Sequence, residues 1–462
     1  MKKIHFIDVT LVFLIVLSLV LTGSLWFDNY HGLSLAISEL PFWLNETFDF
    51  GETEYTELIK PYKVTLTNGD NGNYIYYAFS EGNVEGFNTV FSILNNLTNL
   101  AIDEAFPSEW NELLTRKSII CEFGGAIDAN LLTSVMSNST IPTDVVQNIS
   151  AIAVTKALNG VTIYIKCDET KIYRMSFEGD ITPFTNYLND YSKKTIYAKY
   201  VKLSEMGTTT FYGNKKVSEN SYVLFPMSAK QSNRRYVSEI VSKKFFDNYD
   251  MDTLEKLVSS FFSTNEYTKF TTTDNSYIFI KDDGSTVKVL NSGIFEYNTK
   301  LVYDDTIDST IMSSFNVALD YINKFGETSV YLLSGQKVDN AYEYKFGINK
   351  DDIPVVNNSQ PIDEDRRIYI HIKVLNDKVI YCKQSLNRYE TVKTLSYISS
   401  FGTNILDNIL ANIEKDSVVT VENLDLVYDV SSNNKYPFWY AKYKVLDDEN
   451  YIFTSAAKKK IY

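Results

Sequence analysis

The chain is poor in the residues from which disulfide frameworks and metal centres are built. It has only three cysteines (Cys121, Cys167, Cys382) and three histidines (His5, His31, His371) in 462 residues. The cysteines are too few and too scattered for a disulfide framework, and although one pair could form outside a cell, spacing does not say which. Cys167 closes an apparent strand, Val161–Cys167, a place that suits a small buried side chain. No two histidines have metal-ligand spacing and none has a cysteine partner nearby, so neither a metal nor a cofactor is expected. Nine prolines and a 44% hydrophobic content exclude a proline-rich or disordered chain. Positive charge is also in deficit: 44 Lys and Arg stand against 58 Asp and Glu, a net charge of -14. Such an acidic chain is a poor match for nucleic acid. The basic tail Lys458-Lys459-Lys460 reads as a solvated end or an edge-strand guard.

Catalytic signatures are equally scarce. There is no glycine-rich phosphate loop and no Gly-x-Ser-x-Gly. Ser285-Thr-Val-Lys288 fits a Ser-x-x-Lys pattern, but it falls in a strand after a hairpin turn and lacks the companion Ser-Asp-Asn and Lys-Thr-Gly motifs. The clusters Asp363, Glu364, Asp365 and Asp447, Asp448, Glu449 read as solubilising charge on loops. The rival reading is a glycosidase carboxylate pair acting on cell-wall sugar. His371 sits inside a predicted strand and reads as a satisfied sheet residue. Asn68–Asn73 has the Asp/Asn spacing of a calcium loop without its final acidic ligand, so it reads as a plain turn. No catalytic residue is assigned, and the chain is not expected to be an enzyme.

Long apolar runs are missing too, with one exception. Val9–Phe27 holds no charged side chain, and as a helix it would rise about 28 Å, close to a bilayer's hydrocarbon thickness. Lys2 and Lys3 precede it, while Asp28 and Glu39 follow. The positive-inside bias then leaves 1–8 in the cytoplasm and places everything from Asp28 onward outside. A cleaved signal peptide is the competing reading. The length of the run favours an uncleaved anchor, as does Leu25-Trp26-Phe27 directly after the small residues Thr22-Gly23-Ser24. Trp26 suits an interfacial anchor.

Beyond the run, 34 Tyr and 28 Phe favour sheets with large apolar faces. Alternation and turn residues predict strands at 62–66 and 74–79, at 161–167 and 171–177, and at 267–270, 277–280, 286–290 and 294–297. Asp282-Asp283-Gly284 marks a hairpin turn among the last four. Apolar residues three and four apart predict helices through Phe87–Leu97, Pro183–Tyr191, Tyr236–Phe245, Leu254–Phe262, Ile307–Ile322 and Ile405–Ile413, with Thr143–Leu158 partly helical. Asp252 with Glu255 matches a helix-capping pattern. Further strands are expected at 329–333, 342–348, 368–375, 379–382, 424–430, 438–445 and 451–454. Helices followed by antiparallel hairpins, twice over, argue for an α+β fold. The expected layout is a transmembrane helix at 9–27 and three extracytoplasmic domains at 28–200, 201–303 and 304–462, the last two of related design.

Several of these stretches together resemble the YycH (WalH) family of regulatory proteins. They are Leu17-Ser-Leu-Val-Leu-Thr22 followed by Leu25-Trp26, then Thr273–Ser285 leading to Gly293-Ile-Phe-Glu-Tyr297, and the strand Leu424–Tyr428 followed by Tyr436-Pro-Phe-Trp-Tyr440. The last is similar to a Pro-x-Trp signature shared with the sister protein YycI. The resemblance implies a single-pass protein of a Gram-positive cell membrane that works with a YycI-like membrane protein. It would modulate a sensor histidine kinase of the YycG (WalK) type and so control cell-wall metabolism. It implies YycI-like outer domains and offers no catalytic residues.

Within the run, Ser18 and Thr22 lie four apart on one helix face, flanked by Leu11, Leu14 and Leu25. Their hydroxyls can bond across to a partner helix or back to their own i-4 carbonyls. The residues alone leave both readings open, and the resemblance favours partner contact. The alternative function is a membrane-anchored cell-wall hydrolase or cell-wall-binding module.

Overall fold

In the computed structural model, the described residues run from 58 to 459 with internal gaps. Residues 1–57, 69–72, 97–100, 135–140, 192–199, 203–210, 213–214, 219–222, 227–235, 249–250, 301–308, 326–328, 358–364, 399–401, 415–416, 433, 446–447 and 460–462 are not described. The expected span Val9–Phe27 lies outside the described residues, as do Ile307 and the turn Gly69–Gly72. Among the described residues no helix is long and apolar enough to cross a membrane. Residues 53–321 and 329–462 form one compact unit, and of the other, 1–52 with 322–328, only Ile322–Phe325 is described.

The fold is mixed α+β and mostly sheet. A first antiparallel array runs β2(Asn73–Tyr77)–β1(Lys63–Asn68)–β3(Lys117–Asp128)–β4(Asn148–Ala157)–β5(Gly160–Lys166)–β6(Ile172–Phe177). Helices α1(Glu81–Asn95) and α2(Thr182–Tyr191) pack together, and α1 lies against the array. Ser80 caps α1 by accepting from the Asn83 amide, which satisfies one of the free donors of the first turn. Gly82 and Gly86 let Tyr76 and Tyr187 approach the helix backbone, where the Tyr187 hydroxyl donates to the Gly82 carbonyl at 2.8 Å.

Two segments read as helical are strands. Thr143–Leu158 holds a turn and then β4, whose Ile152, Ala153 and Val154 are all buried. β4 is a central strand between β3 and β5, and because consecutive side chains point to opposite faces, the burial of all three shows that both faces are covered, which gives an unbroken apolar run without a helix. Tyr236–Phe245 is mainly β7(Tyr236–Lys243), followed by a short helix, Phe245–Asn248. Its register slips between Val237 and Glu239. Val237 and Ile240, three apart, are therefore both buried in an irregular strand, and this imitates helical spacing. Asp252 lies in the first turn of α3(Met251–Phe262) rather than before it.

The second array carries the site. β8(Thr268–Thr271), β9(Tyr277–Ile280), β10(Thr286–Val289) and β11(Ile294–Asn298) form a meander. The Asp282-Asp283-Gly284 turn is present: Lys281 donates to the Ser285 carbonyl at 2.9 Å, and Gly284 has φ +84°, a left-handed conformation that favours glycine. After α4(Ile311–Phe325) come β12(Val330–Val338), β13(Ala341–Lys350), β14(Ile353–Val356), β15(Ile370–Leu375), β16(Lys378–Ser385) and β17(Arg388–Ile398). The order β8–β9–β10–β11–β16–β15–β13–β12 is antiparallel throughout. β12 meets β3 in a parallel bridge, Gly335 to Ile127, which joins the two arrays. The pairing of β11 with β16, and of β7 with β17, ties strands from 201–303 to strands from 304–462.

A third group, β18(Val418–Asp429), β19(Phe438–Val445) and β20(Asp448–Ser455), is antiparallel, and β18 also pairs in parallel with β14. Helix α5(Gly402–Ala411) packs on β20. A separate three-stranded sheet is β7–β17–β21(Ala457–Lys459). Trp439 on β19 is fully buried and meets Tyr200 edge to face.

Candidate ligand cleft

Antiparallel register decides which side chains share a face of the second array. One row across β13, β15, β16 and β11 is Tyr344, Ile372, Cys382 and Tyr297, and the next is Phe346, Ile370, Gln384 and Phe295. This face is the core side, where Phe261 of α3 meets Phe295 at 4.6 Å and Phe315 of α4 meets Tyr344 at 5.3 Å. The alternate rows fall on the other face. Across β12, β13, β15, β16 and β11 they read Ser334, Lys345, His371, Lys383, Glu296, and then Gln336, Glu343, Lys373, Tyr381, Asn298. The cationic positions are therefore gathered on one polar face by strand alternation alone.

That face floors a cavity of ≈ 400 Å³, lined by Ser334, Lys345, His371 and Lys383 from the row just traced. Its walls are Val355 and Val356 of β14, Tyr389 of β17 and the segment Asp365–Tyr369. The segment is pinned at both ends: Asn357 donates to the Arg366 carbonyl at 2.9 Å, and Tyr369 to the Phe346 carbonyl at 2.8 Å.

Glu343 is the hub of the floor. Its carboxylate lies 2.7 Å from His371 Nε2 and 3.3 Å from both Lys345 and Lys373. Burial opposes its ionisation, but the surrounding His371, Lys345 and Lys373 overcome this and lower its pKa. Burial is also the leading cause that pushes His371 down to about 4, with Lys345 and Lys373 adding to it against the pull of Glu343. His371 is then neutral at pH 7, and its Nε2–H donates to Glu343.

Arg366 and Arg367 are treated very differently by the fold. The Arg367 guanidinium holds Asp365 through two bonds, Nε to Oδ1 at 3.0 Å and Nη2 to Oδ2 at 2.6 Å, and Nη2 also donates to the Gly124 carbonyl at 2.9 Å. Gly124 has φ +78°. Arg367 also lies over the Tyr62 ring, 4.7 Å from its centroid. Arg366 is 9% exposed, its Nε has no hydrogen-bond partner among the described residues, and its guanidinium sits 4.5 Å from the Tyr451 ring centroid.

Next to this cleft is a buried ionic cluster. Lys63 Nζ reaches Asn423 at 3.1 Å, Glu122 at 3.3 Å and Asp425 at 3.4 Å. Burial works against the Lys63 charge, yet Asp425 and Glu122 raise its pKa well above the usual value. The Tyr77 hydroxyl accepts from the Leu426 amide at 2.8 Å alongside. A second cavity of ≈ 660 Å³ shares Arg367 and Gly125 with the first. Its rim charges pair with one another, Lys442 with Glu449 at 2.9 Å and Lys444 with Glu422 at 2.6 Å.

The residues singled out from the sequence for partner contact, Leu11, Leu14, Ser18, Thr22 and Leu25, lie outside the described residues, as does Trp26. His371 is in a strand, as expected, and is satisfied by Glu343. Of the two acidic clusters, Asp365 is more than solubilising charge because it holds Arg367. Ser285 begins the strand side of its turn, with its hydroxyl 2.7 Å from that of Thr299. None of the three cysteines is in a disulfide; Cys121 and Cys382 are buried and Cys167 is half-buried. Sequence reasoning missed Lys345, Lys383 and Arg366. The signal available was charge alternating with aromatic and aliphatic residues, as in Tyr342-Glu343-Tyr344-Lys345-Phe346.

No family model matches the chain, and no curated protein matches it. Among solved structures it is similar to the Bacillus megaterium YpeB C-terminal domain, at 11% identity and a TM-score of 0.26, over 45% of this chain and 93% of that one. A likeness at that score sets neither fold nor function.

Proposed function

We propose that this chain is a single-pass membrane regulator of the YycH kind. It modulates a sensor histidine kinase of the YycG type, together with a YycI-like protein, in the membrane of a Gram-positive bacterium. The observation that carries the reading is Val9–Phe27, a charge-free run with lysines before it and a large acidic α+β portion after it. Helices associate in lipid through small residues and hydroxyls, and Ser18 and Thr22 supply these on one face. The outer portion sets the bias, and the span transmits it by favouring one of two kinase states.

The test is affinity purification of the full chain from membranes, followed by identification of what comes with it. Recovery of the kinase and the YycI-like protein supports the reading. A chain that comes alone, with kinase output unchanged on deleting its gene, contradicts it. Release of cell-wall fragments by the purified chain would put a hydrolase in its place.

A further inference from the structure

We propose that the cleft floored by Ser334, Lys345, His371 and Lys383 binds a small organic anion, a phosphate or carboxylate headgroup carried on an apolar or aromatic body. The inference does not rest on the membrane reading, since every residue it uses is among the described residues and far along the chain from Val9–Phe27.

Charge is the first support. In a chain of net charge -14, the described residues lining this cavity include Lys345, Lys383, Arg366 and Arg367 against Asp365, with Lys345 paired to Glu343 and Arg367 to Asp365. The neighbouring cavity is nearer to balance, with five cationic and four acidic residues in its described lining. A concave, cation-lined site on an acidic protein focuses potential and concentrates anions.

Arg366 is the second and more specific support. It is 9% exposed, and its Nε lacks a hydrogen-bond partner among the described residues. Its ring contacts with Tyr451 and Phe453 cover the guanidinium without supplying a negative charge. Among the described residues it has no carboxylate partner, whereas Arg367 next to it is held by Asp365 and Gly124. Burying a cation without a counter-charge is costly. A planar fork offering parallel N–H donors matches a phosphate or carboxylate.

Size and wall chemistry define the rest of the ligand. A cavity of ≈ 400 Å³ falls at the low end of small-molecule sites. Val355, Val356, Ile368 and Tyr389 give it an apolar side opposite the cationic floor. His371 stands in the floor row between Lys345 and Lys383. An anion held there favours the imidazolium, so the ring reports binding.

The experiment uses the full chain in detergent at fixed ionic strength, titrated with phenyl phosphate, benzoate and neutral phenol. Calorimetry reads affinity, and ring NMR of the three histidines reads the His371 pKa, with His371→Gln assigning the signal. Saturable binding of either anion is expected, with the His371 pKa raised by about half a unit or more and no response to phenol. Binding of phenyl phosphate alone identifies a phosphate headgroup, and binding of benzoate alone a carboxylate. Arg366→Gln should weaken affinity by about tenfold or more. Lys383→Gln, at a half-buried strand position, should weaken it severalfold and keeps the test open if Arg366→Gln does not fold. Lys269→Gln, remote from the cleft, should leave affinity unchanged. Absence of binding by both anions, undiminished affinity in both cleft variants, or binding with no response of His371 would overturn the proposal.

Discussion

At the scale of single residues, the most consequential feature is charge placed where water is scarce. Lys63 is 6% exposed and Asp425 1% exposed; Asp425 is the fully buried counter-charge of Lys63, with the partly exposed Glu122 assisting. Removing one partner of such a pair leaves an uncompensated buried charge and costs about 3–5 kcal/mol, whereas replacing both with apolar groups costs far less. Lys63→Met should therefore lower the unfolding free energy in urea by about that amount, and Lys63→Met with Asp425→Leu should recover most of it. Equal destabilisation of the single and double variants would contradict the pairing. His371 makes a second prediction. The groups facing it are Glu343, Lys345, Lys373, Lys383 and Tyr381. Its folded pKa of about 4 lies below the ordinary histidine value, so the folded state binds fewer protons than the unfolded one in between. The stability it contributes is full above about pH 6.5 and is lost as pH falls toward 4, by about 1–3 kcal/mol. Glu343, with its lowered pKa, is still ionised when an unfolded carboxylate begins to protonate, and its loss extends the same acid limb. His371→Gln should flatten the limb between pH 6.5 and 4 in a plot of urea midpoint against pH. A limb of unchanged slope would show that the ring does not titrate as described.

At the scale of elements, what could be read from the sequence depended on whether one local period governed the segment. The hairpin 161–177 and the meander 277–298 were legible because alternation and turn chemistry agree there. Gly284 sits at φ +84° with nothing within 4 Å of where a Cβ would lie, so its requirement is conformational and not steric. Gly284→Ala should cost about 1 kcal/mol in thermal or urea unfolding, and Gly284→Asn less. β4 and β7 were misread for opposite reasons, one because both of its faces are covered and the other because its register slips. The cleft was illegible because the register of three strands, and not spacing along any one of them, sets Lys345, His371 and Lys383 side by side. No window along the chain contains them. Helix α4 was legible from its stripe, and Phe315, fully buried against Tyr344 and Phe346, anchors it. Phe315→Ala should cost about 3–5 kcal/mol.

At the scale of the molecule, strand pairing makes the segments expected as separate domains share sheets; the floor of the cleft on β12, β13, β15 and β16 and its walls on β14 and β17 come from 304–462, while Gly125, Ala126 and Ile294 of the other two segments complete the lining. On the proposed reading, a regulator whose working part is its span needs an outer portion that holds a defined conformation and can respond to what it meets. The buried ion pairs would serve the first need and the proposed anion cleft the second. The central claim concerns the span, and it is most directly tested in the membrane with a photo-crosslinking residue at position 18 or 22 of the full chain. The account predicts a cross-link to a transmembrane segment of the sensor kinase from positions 18 and 22, and its loss when the probe moves to the opposite helix face. Cross-links to lipid alone, or the same yield from every face, would contradict it.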